Sequence, residues 1–312
     1  MPESSETDAT TDRLAAKRRE LAELIARFAT GEGPHPTAIE PLRLIRYTQP
    51  TRPLHIQQSV ALWVLAQGRK RLVLADETFT HGTDSCLVVA FDLPVVTHVL
   101  DASPDVPFLG LALALDPAEV AATMATHDLG TELPGAEMPW GVSLRRATHD
   151  LLDAAVRLVR LLQSPGDIEA LAPLVLEEIR YRLLRGPHGA FARQIAKADP
   201  RLEAVAHAIE WLKERYAEPY ELEALTREVG MSASALHRHF KAVTAMTPLQ
   251  YQKELRLRDA RARMLSEGLD AATAGHRVGY ASPSQFSREY RRLFGAPPAR
   301  DISRLKDSRE PV

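Results

Sequence analysis

Between Leu222 and Pro298 the chain says nearly the same thing twice, and this duplication constrains its fold more than any other feature. The first copy is LTREVGMSASALHRHFKAVTAMTP (225–248) and the second is AGHRVGYASPSQFSREYRRLFGAPP (274–298). Val229-Gly230 falls on Val278-Gly279. After one extra residue in the second copy, Leu236, Arg238, Phe240, Lys241 and Pro248 fall on Phe286, Arg288, Tyr290, Arg291 and Pro298. A solenoid needs at least about three repeats to bury a continuous core, so two copies read as a duplicated module.

Each copy carries the punctuation of helix, tight turn, helix. A short apolar-periodic run ends at a glycine, which can take the positive φ that the turn demands. A serine-rich stretch then opens a second helix. In the second copy Ser282 is the expected N-cap, Pro283 stands at N1 and Gln285 is placed to complete a capping box. In the first copy Ser232 can cap, but Ala235 stands where the box wants Glu or Gln.

The second helix of each copy is amphipathic. Leu236 and Phe240, and likewise Phe286 and Tyr290, are four residues apart and form one apolar stripe. The opposite face of the first copy carries Ser234, His237, Arg238 and Lys241. That of the second carries Ser284, Gln285, Ser287, Arg288, Arg291 and Arg292. Short donors near the helix start and cations behind them suit a helix in a DNA major groove, where base edges are read and phosphates held. One such helix alone would read as an ordinary solvated basic face; two glycine-turned copies favour DNA. Between them, PLQYQKELRLRDARARMLSEG predicts a helix with Thr247 as N-cap and Pro248 at N1. About eighteen residues at 1.5 Å each give a rod of roughly 27 Å. A stiff spacer of that length can hold two recognition helices toward successive major grooves, about 34 Å apart.

VGYASPSQFSREYRRLFGAPP and VGMSASALHRHFKAVTAMTPLQYQ resemble the double helix-turn-helix DNA-binding domain of AraC/XylS-family transcription regulators, over about the last hundred residues. The resemblance implies base or phosphate contacts for Ser234, His237 and Arg238, and for Pro283, Ser284, Gln285 and Arg288. Two departures stand out. Ala245 occupies the place where the family often has glycine, as Gly295 does in the second copy, so the first recognition helix is expected to end under slight strain. Thr226 and Gly275 replace the usual alanine four residues before the turn glycine, and both are small enough for close helix packing.

The net charge of −2 hides an asymmetry. From Lys197 onward there are 20 Lys+Arg against 16 Asp+Glu, and before it 19 against 25. The half with the repeat is the basic half, as binding to phosphate requires. A single cysteine, Cys86, excludes an intrachain disulfide and fits a reducing cytoplasm. In the apolar run CLVVAF it reads as a buried hydrophobe. The start, MPESSETDATTD, lacks the apolar core of a signal peptide, and no apolar run approaches the roughly 20 residues that span a membrane.

Residues 1–11 read as a disordered tail, and DRLAAKRRELAELIARFATGEG as a helix stopped at Gly31. From Ile39 to Asp116 the runs LRLIRYT, SVALWVLAQG, KRLVLAD, SCLVVAFDL, VVTHVLDAS and FLGLALAL predict short strands of a sandwich or small barrel. AQGRKRLVLADETF and VVAFDLPVVTHVLDASPDVPFLGLALALDP resemble the cupin-like N-terminal domain of one subgroup of AraC-family regulators. That resemblance implies a β-barrel sensing domain. Trp63, Phe79, Phe91, His98 and Phe108 are candidates to line an effector pocket, with plain core packing the standing alternative, because one slip of register flips each face. Metal-dependent cupins use an HxH pair, a carboxylate and a later histidine. Here His35, His55, His81 and His98 are scattered, so no metal or other cofactor is expected, and His81 and His98 are the only two on candidate strands. Nor is there a nucleophile elbow, P-loop or Rossmann glycine pattern.

Helices return from Pro117: PAEVAATMATHDLG, then SLRRATHDLLDAAVRLVRLLQS and DIEALAPLVLEEIRYRLLRG, the last two a hairpin turned at Ser164-Pro165-Gly166-Asp167. The hairpin can cover the barrel or pair with another copy as a homodimer. The expected organisation is α+β in two domains: a cupin-like β-barrel with flanking helices (12–186), a linker (187–200), an all-α double helix-turn-helix (201–306) and a tail (307–312). The expected function is a cytoplasmic, effector-responsive, non-enzymatic regulator of transcription. Its partners would be double-stranded promoter DNA, a small-molecule effector and, for an activator, RNA polymerase. The rivals are a cupin-type metal-dependent enzyme fused to a DNA-binding domain, and a module whose helices bind a protein.

Overall fold

The computed structural model describes residues 3–129, 141–196 and 200–307. The chain divides into two compact units between Asp199 and Pro200.

The first unit opens with α1 (Glu3–Phe28), followed by β1 (Gly33–Pro36), β2 (Leu42–Tyr47), β3 (Leu54–Gln58), β4 (Ala61–Gln67), β5 (Arg69–Leu74), β6 (Glu77–His81), β7 (Ser85–Val89), β8 (Leu93–Asp101) and β9 (Phe108–Ala114). Then come α2 (Pro117–Thr126), β10 (Val142–Arg146), α3 (His149–Arg160), α4 (Ile168–Arg185) and the single turn α5 (Gly189–Ala192). Two antiparallel sheets form, in the orders β1-β2-β9-β4-β7-β10 and β3-β8-β5-β6. No ladder joins one sheet to the other, so this is a two-sheet sandwich and not the closed barrel expected. Its centre joins Ile45, Leu65 and Phe108 of the larger sheet to Val99 of the smaller. The other face of the larger sheet carries buried Leu44, Val64, Cys86 and Leu111. Helix α1 packs against β2, β4 and β9 on one side and α3 on the other, burying Leu21, Leu24 and Ile25.

Four expectations are corrected. Residues 3–11 continue the backbone of α1 instead of forming a disordered tail; propagating an existing helix costs little, and Glu3, Glu6 and Asp8 favour its N-terminal end. The SLRR segment, read as the start of a helix, is strand β10, paired with β7 from Val142↔Val89 to Arg146↔Ser85; α3 begins only at His149, after the N-cap Thr148. The short polar runs GPHP, LHIQQ and ETFTH are strands, because cross-strand pairing supplies what their weak patterning does not. Most of the supposed linker belongs to the first unit: His188, Phe191, Ala192 and Ile195 are buried, since their apolar surface outweighs the Gly/Pro flanks. The tail beyond Asp307 lies outside the described residues.

The second unit is all helix: α6 (Pro200–Glu214), α7 (Leu222–Val229), α8 (Ala233–Thr244), α9 (Pro248–Ser266), α10 (Ala271–Arg277), α11 (Pro283–Phe294) and α12 (Pro298–Asp307). Helices α7–α8 and α10–α11 are the two copies, and α9 is the rod between them. One side of α9 (Leu257, Ala260, Met264) packs with Val278, Tyr280, Phe286, Tyr290 and Ile302.

Candidate nucleic-acid interface

The turn of each copy is built as its glycine requires. Gly230 closes α7 at φ 65°, and Gly279 follows α10 at φ 89°. The two differ in what surrounds them. A Cβ at Gly230 would meet nothing within 4 Å, whereas one at Gly279 would lie 2.1 Å from the Ala217 carbonyl oxygen. Gly275 also permits close approach, since a Cβ there would sit 2.9 Å from Cγ of Phe286. Its counterpart in the first copy, Thr226, is half-buried and turns its hydroxyl back to the Glu223 carbonyl.

Both recognition helices are capped by serine. The Ser232 hydroxyl accepts the Ala235 N–H at 3.3 Å, and Ser282 accepts the Gln285 N–H at 3.3 Å. The reciprocal half of the second capping box is not made. The Gln285 amide donates instead to Glu289 at 3.2 Å, one turn along the helix, because a charged acceptor outcompetes a backbone N–H already near water. A complete box forms at Thr247 and Gln250, where α9 begins.

The helix ends differ as the sequence suggests. Ala245 and Gly295 both close their helices in the left-handed region, at φ 62° and 76°. For alanine that conformation is strained. The first copy holds it with Thr244, whose hydroxyl donates to the Phe240 carbonyl at 2.8 Å and accepts the Met246 N–H at 3.1 Å.

With Leu236, Phe240, Phe286 and Tyr290 buried, the opposite faces turn outward. Ser234, Arg238, Lys241, Pro283, Ser284, Arg288, Arg291 and Arg292 are exposed; His237, Gln285 and Ser287 are half-buried at the edges of the same faces. The charges there contrast with those of the scaffold. Around α9, Lys253 pairs with Glu289, Arg258 with Glu254, Arg261 with Asp301 and Arg263 with Asp259. Among the described residues, Lys241, Arg288, Arg291 and Arg292 have no carboxylate partner, which leaves them available to phosphate.

Two scaffold residues were not legible as such. Arg256 on α9 donates to the Gly279 carbonyl at 2.9 Å and to the carbonyls of Tyr216 and Glu218, tying the second turn to the approach to α7. Glu289 accepts from Lys253, Tyr280 and Gln285, and so orients a candidate reading residue. A cation and an acid in charge-rich helices carry no pattern that announces these roles.

In the first unit, register decides which candidate residues face the space between the sheets. Trp63 and Phe108 face inward on the larger sheet, and Phe79, paired with Leu72, faces inward on the smaller. Phe91 is buried just beyond β7. His98 is corrected: it pairs with Arg71, on the outward side of its sheet, so it does not line the interior. His81 faces inward and is buried, its Nε2 bonded to the Ser85 carbonyl at 3.0 Å; burial pulls its pKa down to about 4. No group of three or more His, Cys, Asp or Glu able to hold a metal occurs among the described residues. Nor is any described helix long and apolar enough to cross a membrane.

Two family models match the chain. The AraC-type transcriptional regulator N-terminus covers residues 38–191, and a helix-turn-helix domain covers 225–303. The HTH-type transcriptional activator RhaS of Salmonella schwarzengrund (strain CVM19633) is 27% identical over 290 residues, 88% of this chain and 95% of its own. RhaS of Escherichia coli (strain SE11) is 25% identical over 232 residues, 73% of this chain and 76% of its own. In fold, ToxT from Vibrio cholerae O395 aligns with a TM-score of 0.55 at 10% identity, covering 85% of this chain and 98% of that one. The two matched regions coincide with the sandwich and with the duplicated helical unit, and the chain belongs to the AraC family of DNA-binding transcription regulators.

Proposed function

We propose that this regulator binds promoter DNA by laying α8 and α11 into successive major grooves. Ser234, His237 and Arg238, with Pro283, Ser284, Gln285, Ser287 and Arg288, meet base edges and nearby phosphates, while Lys241, Arg291 and Arg292 hold the backbone. The observation that carries this reading is the repetition of one outward set, hydroxyl donors first and unpaired cations behind, on two serine-capped helices joined by the 19-residue α9, about 28 Å long. The protein acts in the cytoplasm, without a resident cofactor or enzymatic chemistry. Its N-terminal sandwich senses a small molecule, which can bias the regulator only as far as it binds two of its states with different affinity.

The exposed Leu171 and Leu174 on α4 support a second copy as a further partner, since apolar side chains of that size are normally covered. For activation, the role after which the RhaS relatives are named, the remaining partner is RNA polymerase.

Gel-shift titrations against a promoter fragment with excess competitor DNA test the reading. Arg238→Ala and Arg288→Ala should each weaken specific binding by about 1–3 kcal/mol. Lys241→Ala should weaken all sequences alike and lower the salt slope by about 1. Unchanged affinity in both arginine variants, or no preference for any sequence in the wild type, would remove the assignment.

A further inference from the structure

Lys70, on β5, points into the space between the sheets and is only 6% exposed. Its cross-strand neighbours on that face are His81 and Val99. No carboxylate pairs with it among the described residues. Its ammonium lies 3.7 Å from the centroid of the Trp63 ring, on the opposite sheet. An aromatic face offsets part of the cost of burying a cation, but not the charge itself. Burial accordingly pulls the pKa of Lys70 down to about 7. Two neighbouring groups are also buried without partners: Nε1 of Trp63 and Nδ1 of His81. Buried polar groups are nearly always paired, so three on one interior wall call for an explanation.

The surroundings say what would satisfy them. On the inward face of the larger sheet the register aligns Arg43, Ala112, Trp63, Leu87 and Leu144 in one row across five strands. Leu87 is buried, but Ala112, Trp63 and Leu144 are only half-buried although they face the second sheet, as is Phe79 across from them; Arg43, at the row's outer end, is exposed. Solvent therefore reaches the apolar row beside the buried ammonium. An apolar bed with one buried cation and one indole donor is complementary to a compact anion on an apolar body.

We propose that the space between the sheets binds a small organic acid: Lys70 supplies the countercharge to its carboxylate, Trp63 Nε1 donates a hydrogen bond, and the Ala112–Trp63–Leu87–Leu144 row takes its apolar body. This rests on the reading of the sandwich as the sensing unit and names the class of its ligand. Neutral His81, donating through Nε2 to Ser85, keeps Nδ1 as an acceptor for a hydroxyl on that ligand.

The test uses the full chain. Decanoate, 3-phenylpropanoate and 1-naphthylacetate, each beside its primary amide, are titrated at pH 7 by calorimetry and by shift of the melting temperature. The wild type is compared with Lys70→Met and Lys70→Arg. At least one acid should bind the wild type with one-to-one stoichiometry, about 10- to 100-fold tighter than its amide, as a charge-assisted hydrogen bond implies. Lys70→Met should lose that preference while melting no lower than the wild type, because an uncompensated buried charge has been removed; Lys70→Arg should keep part of it. Failure of all three acids to bind, equal binding of acid and amide, or an unchanged preference in Lys70→Met overturns the proposal. Gel shifts on the same preparations report DNA binding separately, so loss of the ligand class leaves the DNA reading standing, and the converse holds.

Discussion

Ala245 is the residue whose replacement most directly tests how the first recognition helix ends. It closes α8 at φ 62°, ψ 5°, while Gly295 closes α11 at φ 76°. Holding an L-residue in the left-handed region costs about 1–2 kcal/mol. Ala245→Gly removes that cost but gives the unfolded chain more freedom, worth about 0.4–1 kcal/mol. The methyl lost is half-buried, worth a few tenths more at about 25 cal/mol per Å². The net expectation is a gain of about 0.5 kcal/mol. For a helical unit of this size that raises the melting transition by roughly 2–4 °C. Gly295→Ala is the mirror experiment. A Cβ there meets no heavy atom within 4 Å, so only backbone strain opposes it, and the transition should fall by about as much. Scanning calorimetry of the full chain reads the transition, and hydrogen exchange of the α8 and α11 amides localises the change. A lower transition for Ala245→Gly together with a higher one for Gly295→Ala would refute the reasoning, because the sign comes from φ alone.

Three further outcomes follow from the same geometry. Gly279→Ala should cost about 2–5 kcal/mol, adding a backbone clash at the Ala217 carbonyl to the strain of positive φ, while Gly230→Ala should cost only about 1; equal losses in urea melts would contradict this. Asp301→Asn should destabilise the second unit by about 3 kcal/mol: Asp301, 3% exposed, accepts from Arg261 at 2.8 and 3.2 Å and from the Tyr290 hydroxyl at 2.8 Å, and its loss leaves a largely buried guanidinium uncompensated. Cys86, whose thiol burial pushes up to about 12, should resist iodoacetamide at pH 8 in the native protein and react once in urea; full labelling without denaturant would place it at the surface instead.

The duplicated helical unit was legible almost residue by residue, because helix signals are local. Caps, turn glycines and apolar stripes are all written within four residues of the groups they serve. The Ser232, Ser282 and Thr247 caps, the buried pairs Leu236/Phe240 and Phe286/Tyr290, and the strained end at Ala245 therefore stand as read. Gln285 was the exception, since Glu289 took its amide across a turn.

The sandwich was different, because strand order and register are contracts between distant segments. GPHP and LHIQQ have little pattern of their own and become strands only by pairing with β2 and β8. Whether His98 or its neighbour faced inward depended on a register that no local spacing records. Lys70, in an RKRLVL run, looks like a surface lysine until β4 sets Trp63 above it. Sequence alone determined two capped, cation-faced helices on a stiff spacer, because an α-helix closes its hydrogen bonds within its own segment. Only the tertiary structure decided which side chains meet between the sheets, because a β-strand finds its hydrogen-bond partners, and so its inward face, in another part of the chain.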